Sequence, residues 1–249
     1  LAASPNELKA AGFGDMMAKY IGLVDWQVSS LLTGEYYCER IAALTRSATD
    51  ELFNLADKVT ANDEYTAGKI FESLLKTGIG MSFSQNSRPA SGSEHIISHL
   101  IECVQLRDGI LPNFHGEDIG VCTLEMLKYY NELAEHKTIK TKKENVDWDD
   151  VYKFYGSMAD NVKKLNFPHN VVDDVDKDVL RERWGDIVNI IHSVPDYNSV
   201  KEAMVKAHCK ITVDDIGKDK TLFDNCVKYS PYMRHRLTLL RLKDMIVTE

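Results

Sequence analysis

The sequence predicts an all-α protein. Apolar residues recur at three- and four-residue spacing in one segment after another, and Gly or Pro marks the breaks. No segment alternates apolar with polar residues as a half-buried strand does.

The first helix is expected from Pro5 to about Ala11, opened by Ser4-Pro5-Asn6-Glu7. Gly12 and Gly14 are expected to break it, placing Asp15 at the head of a second helix over Met16–Val24. An Asp in that position is also what a plain N-terminal cap looks like. Tyr37, Ile41, Leu44, Ala48, Leu52 and Leu55 form a helical stripe across Tyr36–Lys58. Ala67, Ile70, Phe71, Leu74 and Leu75 repeat it across Glu64–Lys76, and Gly78-Ile79-Gly80 reads as the stop. A loop over Ser87–Ser93 feeds a helix reaching about Leu106, with Ser91 and Glu94 spaced as a capping box. After a turn at Gly109–Asn113, a long helix runs over His115–Leu133. Lys137–Asp147 is a polar, lysine-rich connection. Helices are then expected over Asp149–Met158, Val179–Ile191, Ser199–Ala207, Leu222–Tyr229 and Met233–Met245. Residues 1–249 are expected to form one helical unit, with the connection at about 137–147 inside it.

Composition narrows the function. A net charge of −8 argues against non-specific nucleic-acid binding and against docking on anionic lipid. No apolar run is long enough to span a bilayer and no signal-peptide pattern opens the chain, so the cytoplasm is the expected location. The five cysteines are scattered with no CxxC pair, which favours reduced thiols over a zinc ribbon or redox motif. The chain starts at Leu1 rather than Met, as a fragment or a trimmed product would.

The chemistry concentrates in Ser91-Gly92-Ser93-Glu94-His95-Ile96-Ile97-Ser98-His99 and in Phe114-His115-Gly116-Glu117. His95 and His99 are four apart, so they share one helix face. His115 opens the next helix, and Gly12-Phe13-Gly14-Asp15 supplies a carboxylate in a similar Gly-flanked setting. One Asp and two His from separate helices make a three-ligand set for a divalent metal with an open position. Spacing alone leaves hydrolysis, elimination and redox chemistry open. Other candidates fail on spacing. Glu94 precedes His95 instead of following it, so the zinc-protease HExxH pattern is absent. Asp173–Asp178 lacks the Gly and Glu of a calcium loop and reads as a solvated helix start. Gly78-Ile79-Gly80 follows no strand and has no third Gly, so it is no phosphate loop. His136, His169, His192, His208 and His235 have no partner spacing.

Three ordered stretches resemble a known family. Ala10-Ala11-Gly12-Phe13-Gly14-Asp15-Met16-Met17-x-Lys19-Tyr20 with Asp25-Trp26, Arg88-Pro89-Ala90-Ser91-Gly92-Ser93-Glu94-His95-x-x-Ser98-His99, and His115-Gly116-Glu117-x-x-Gly120-Val121 resemble the sn-glycerol-1-phosphate dehydrogenases. These sit in the iron-containing alcohol dehydrogenase, glycerol dehydrogenase and dehydroquinate synthase superfamily. The motifs cover residues 5 to about 130; Tyr232-Met233-Arg234-x-Arg236-Leu237-Thr238-Leu239-Leu240 looks like the family's carboxyl end, and the step from His95 to His115 looks nearer the bacterial branch. The resemblance implies the helical C-terminal domain of a dehydroquinate synthase-like fold, carrying one divalent metal (Zn, Ni or Fe) and working with NAD(H) or NADP(H). It implies Asp15, His95 and His115 as metal ligands, Asp15 and His99 as catalytic residues beside the substrate, and a homo-oligomer. The implied reaction interconverts glycerone phosphate and sn-glycerol 1-phosphate. Lys19 and Arg88 are the candidates for the substrate phosphate. Family members also carry an amino-terminal nucleotide-binding α/β domain, and this chain contains no such segment; the chain by itself is then expected to bind metal and turn over poorly. A glycerol dehydrogenase acting on unphosphorylated polyols, and a helical metal-binding fragment with no catalysis, are the competing readings.

Overall fold

A computed structural model describes residues 2–61 and 63–248. Among the described residues there are twelve α-helices and one pair of short strands, so the protein is mostly helical as expected. The helices that build the site are α1 (Asn6–Met17), α2 (Lys19–Thr33), α3 (Glu39–Phe53), α4 (Glu64–Ser84), α5 (Ser93–Arg107) and α6 (His115–Ala134). They are followed by α7 (Trp148–Tyr155), α8 (Ala159–Asn166), α9 (Lys177–Glu182), α10 (Trp184–His192), α11 (Tyr197–Lys206) and α12 (Lys220–Tyr229).

Helix α1 is the centre. Phe13, Met16 and Met17 have no exposed surface, and the helix packs against α4 on one side and α6 on the other. Gly12 and Gly14 do not break it. A Cβ at Gly12 would stand 3.1 Å from Ile70 of α4, and one at Gly14 would stand 2.7 Å from the Gly116 carbonyl oxygen of α6. The glycines are where neighbouring elements come too close for a side chain, and that contact outweighs their poor helix propensity. Asp15 therefore sits inside α1, one turn before Lys19, and is not a cap.

The same physics corrects the end of α4. Gly78-Ile79-Gly80 is helical, because Gly80 lets α4 pass α3 with its would-be Cβ 3.2 Å from Ile41; the helix ends at Gln85, in the left-handed region at φ 55°. Residues 36–38 lie outside the helix, which begins at Glu39, the 177–192 stretch is split at Arg183, and α8 has no counterpart among the expected helices.

Strands occur where none was expected. Within the lysine-rich connection, β1 (Ile139–Thr141) pairs antiparallel with β2 (Ile246–Thr248), Ile139 opposite Thr248. The expected helix over Met233–Met245 does not form. Its backbone is engaged by distant side chains: Arg88 donates to the Leu237 carbonyl at 2.7 Å, and the Leu239 N–H donates to Asp25 at 2.8 Å. All five cysteines are free thiols, Cys122 and Cys226 buried and three half-buried. Among the described residues, no helix is long and apolar enough to cross a membrane.

Candidate metal centre

The site is built from α1, α5 and α6. The expected capping box at the start of α5 is absent: Gly92 is the cap residue, and the Ser91 hydroxyl bonds to Ser87. Glu94 has other partners. Its carboxylate accepts from the Gly92 N–H at 2.9 Å and lies 2.6 Å from His95 Nδ1.

Beneath this turn, buried Asp25 of α2 accepts from the Ser93 N–H (2.7 Å) and hydroxyl (3.0 Å), the Tyr130 hydroxyl (2.7 Å) and the Leu239 N–H. One carboxylate thus ties α2, α5, α6 and the carboxyl-terminal segment together. Burial pushes Asp25 up to about 6, against the pull of its donors. A raised carboxyl stabilises the fold fully below its unfolded value near 3.8, and that contribution is lost as pH rises through about 6. Relative to Asp25→Asn, the wild type is expected to lose about 2 kcal/mol of unfolding free energy between pH 4 and 6. A pH-independent difference in denaturant titrations would contradict this.

The donors converge. One ligand atom each from Asp15, His95 and His115 all lie within 4.8 Å of one another. His95 Nε2 is 3.3 Å from the Asp15 carboxylate, and His115 Nδ1 is 2.8 Å from Glu102. Both imidazoles are therefore held on Nδ1 by a carboxylate, Glu94 or Glu102, which is how metal-bound histidines are usually oriented. His99 stands beside them, its ring stacked on His115 at a centroid distance of 5.4 Å. A second trio, His99, Glu102 and His115, is equally compact and shares His115 with the first.

Electrostatics separate the groups. Burial opposes ionisation of Asp15, but Lys19 at 2.8 Å and His95 outweigh it and hold the carboxyl well below the usual range. Burial and Lys19 oppose a charge on His95, yet Asp15 and Glu94 raise its proton affinity. With carboxylates at both nitrogens, His95 keeps a proton towards Asp15 where a cation could take its place. Burial, with positive charge on His95 and Arg234 nearby, lowers His99 to about 4. Arg234 donates to His99 Nδ1 at 3.2 Å, so neutral His99 carries its proton on Nε2.

These groups open on a cavity of about 430 Å³ walled by Asp15, Lys19, His95, His99, His115 and Arg234, with Leu74, Met81 and Ile96 as its apolar part. Arg88 does not line it. Only 3% exposed, its guanidinium is bound to Glu35, Ser29 and the Leu237 carbonyl, where it fastens the carboxyl-terminal segment. Arg234 brings to the wall the cationic fork expected of Arg88. Sequence reasoning gave Arg234, Glu94 and Glu102 no role at the cavity. Glu102 had a signal, since three residues after His99 it falls on the same face of α5.

A helical protein whose cavity gathers one carboxylate and three imidazoles is what the structure defines. Curated relatives give it a kinship. The chain is 28% identical over 240 residues to the glycerol-1-phosphate dehydrogenase [NAD(P)+] of Halalkalibacterium halodurans, covering 96% of this chain and 53% of that protein. It is 27% identical over its whole length to the protein of that name from Geobacillus stearothermophilus, 56% of which is covered. Over 133 residues (53% of this chain, 33% of the relative) it is 38% identical to the one from Bacillus licheniformis. No protein-family model matches. The chain is a homologue of the glycerol-1-phosphate dehydrogenases and spans about half the length of these relatives.

Proposed function

We propose that the chain forms the metal- and substrate-binding part of an NAD(P)-linked dehydrogenase that interconverts glycerone phosphate and sn-glycerol 1-phosphate. The observation that carries this reading is the convergence of Asp15, His95 and His115 within 4.8 Å, in a homologue of enzymes of that name. The donor set fits a divalent cation: one anionic oxygen, two neutral nitrogens once His95 gives up its proton, and carboxylates fixing both rings. When bound, the cation supplies Lewis acidity at the C2 oxygen of the substrate, and the nicotinamide carries the hydride.

The chain's own side chains do the rest. Lys19 keeps Asp15 ionised and adds positive charge to the wall. Arg234 keeps the His99 proton on Nε2, leaving that N–H as a donor beside the reacting oxygen. Leu74, Met81 and Ile96 exclude water from one side. Lys19 and Arg234 are the proposed contacts of the substrate phosphate; Arg88, committed to Glu35, is not.

In the intact protein, Lys19→Ala or Arg234→Ala is expected to raise KM for glycerone phosphate about tenfold or more, as for a lost charge-assisted hydrogen bond. The unphosphorylated ketone should be affected far less. Unchanged KM values in both variants would retire these contacts. The reaction itself is tested by comparing NAD(P)H oxidation with glycerone phosphate and NAD(P)+ reduction with glycerol in the intact, metal-loaded protein. Turnover of glycerol without turnover of glycerone phosphate would overturn the assignment.

A further inference from the structure

Two serines that precede α5, Ser87 and Ser91, line the same cavity as Lys19, His99 and Arg234. Arg236 grips both of them. Its Nη2 donates to the Ser87 hydroxyl oxygen at 2.8 Å, and its Nη1 donates to the Ser91 hydroxyl and carbonyl oxygens, each at 3.0 Å. Among the described residues no carboxylate forms an ion pair with Arg236. Glu35 is near enough to act on its charge but is bound by Arg88. Burial, with the positive charge of Arg88 and Arg234, pulls Arg236 down to about 10, so it remains a cation at neutral pH. The chain leaves that charge uncompensated, one hydroxyl away from the cavity.

A count of hydrogens shows what the hydroxyl can do. A serine has one hydrogen to give and two lone pairs with which to receive. Ser91 gives its hydrogen to Ser87, whose carbonyl and hydroxyl oxygens both lie at 3.2 Å. The Ser87 oxygen receives from Arg236 on one side and faces Ser91 on the other, and its own hydrogen has no acceptor among the described residues. Ser87 is thereby left as a donor. Donation from the guanidinium polarises its O–H and strengthens the bond it gives. Such a donor favours an anionic oxygen, which only accepts, over a neutral hydroxyl, which is the weaker partner.

We propose that Ser87 donates a hydrogen bond to the substrate's phosphate and that Arg236 is the positioning residue that holds Ser87 in this role. The proposal rests on the reading above that the substrate is phosphorylated. Lys19 and Arg234 bring charge to the phosphate; Ser87 adds a neutral donor whose direction is fixed, which a mobile cation on a long side chain does not supply.

The test compares Ser87→Ala, Arg236→Gln and the double variant in the intact protein. One readout is KM for glycerone phosphate against KM for the unphosphorylated ketone, and the other is the dissociation constant of inorganic phosphate by calorimetry. Each single substitution is expected to raise KM for glycerone phosphate and the phosphate dissociation constant about tenfold or more. KM for the unphosphorylated ketone should move less than about threefold. Because Arg236 acts through Ser87, Ser87→Ala should cost less than about threefold once Arg236 is already Gln. A wild type that binds no inorganic phosphate, single variants that bind it as the wild type does, or losses that multiply fully in the double variant would each overturn the proposal. Phosphate binding that depends on Ser87, in a protein that does not turn over glycerone phosphate, would uphold this contact and overturn the reaction. Turnover of glycerone phosphate with wild-type KM in both single variants would do the reverse.

Discussion

Asp15→Asn is expected to leave a folded protein that no longer retains a divalent cation. The substitution keeps shape and removes the only carboxylate in the Asp15–His95–His115 trio. Losing a residue that merely orients a metal ligand costs ten- to a hundredfold in affinity, so losing the anionic ligand itself should cost at least about a hundredfold. In the proposed reaction, turnover of glycerone phosphate is expected to fall at least about a hundredfold with it. A smaller cost reaches the fold, because Lys19, 2% exposed, loses its counter-charge. Metal content by elemental analysis and melting temperature, measured on one preparation, separate the two effects. Full metal content in the variant would show that Asp15 is not a ligand.

Gly116→Ala should be the most damaging glycine-to-alanine change in the chain. Its Cβ would fall 1.9 Å from the Ala11 carbonyl oxygen and 2.5 Å from the Ala11 carbonyl carbon, both backbone atoms of α1 that cannot rotate away. Relief requires α1 and α6 to separate, which also draws His115 from Asp15. A loss of about 4 kcal/mol or more is expected, together with loss of metal. Gly120→Ala is the control. There the close contact is the flexible Met204 terminus at 2.8 Å, so the cost should be about 1–2 kcal/mol. Equal urea midpoints for the two variants would contradict this account of the α1–α6 contact.

Those glycines show what the sequence made legible and what it concealed. The helical class and most of α3 to α6 follow from apolar spacing, which is local. Within a short window Gly12, Gly14 and Gly80 read as helix breakers, because a glycine there signals poor helix propensity. Their use lies in a neighbouring element that spacing does not reveal. The same holds for residues 233–245, where apolar periodicity suggests a helix but Arg88 and Asp25 engage the backbone from far along the chain. That Asp15, His95, His99 and His115 belong together was legible, because spacing and Gly-flanked motifs mark them, and the structure brings them to one cavity. Their partners were not: Glu94 resembles part of a capping box, and Arg234 lies 135 residues from the His99 it contacts.

The proposed function requires that Asp15, His95 and His115 share one cation. Its most direct measurement is a crystal structure of the intact protein grown with zinc, with anomalous data at the zinc edge. A single peak is expected about 2.0–2.2 Å from an Asp15 oxygen and from one nitrogen each of His95 and His115. No peak after soaking, or a peak held by His99, Glu102 and His115 with Asp15 still paired to Lys19, would contradict it.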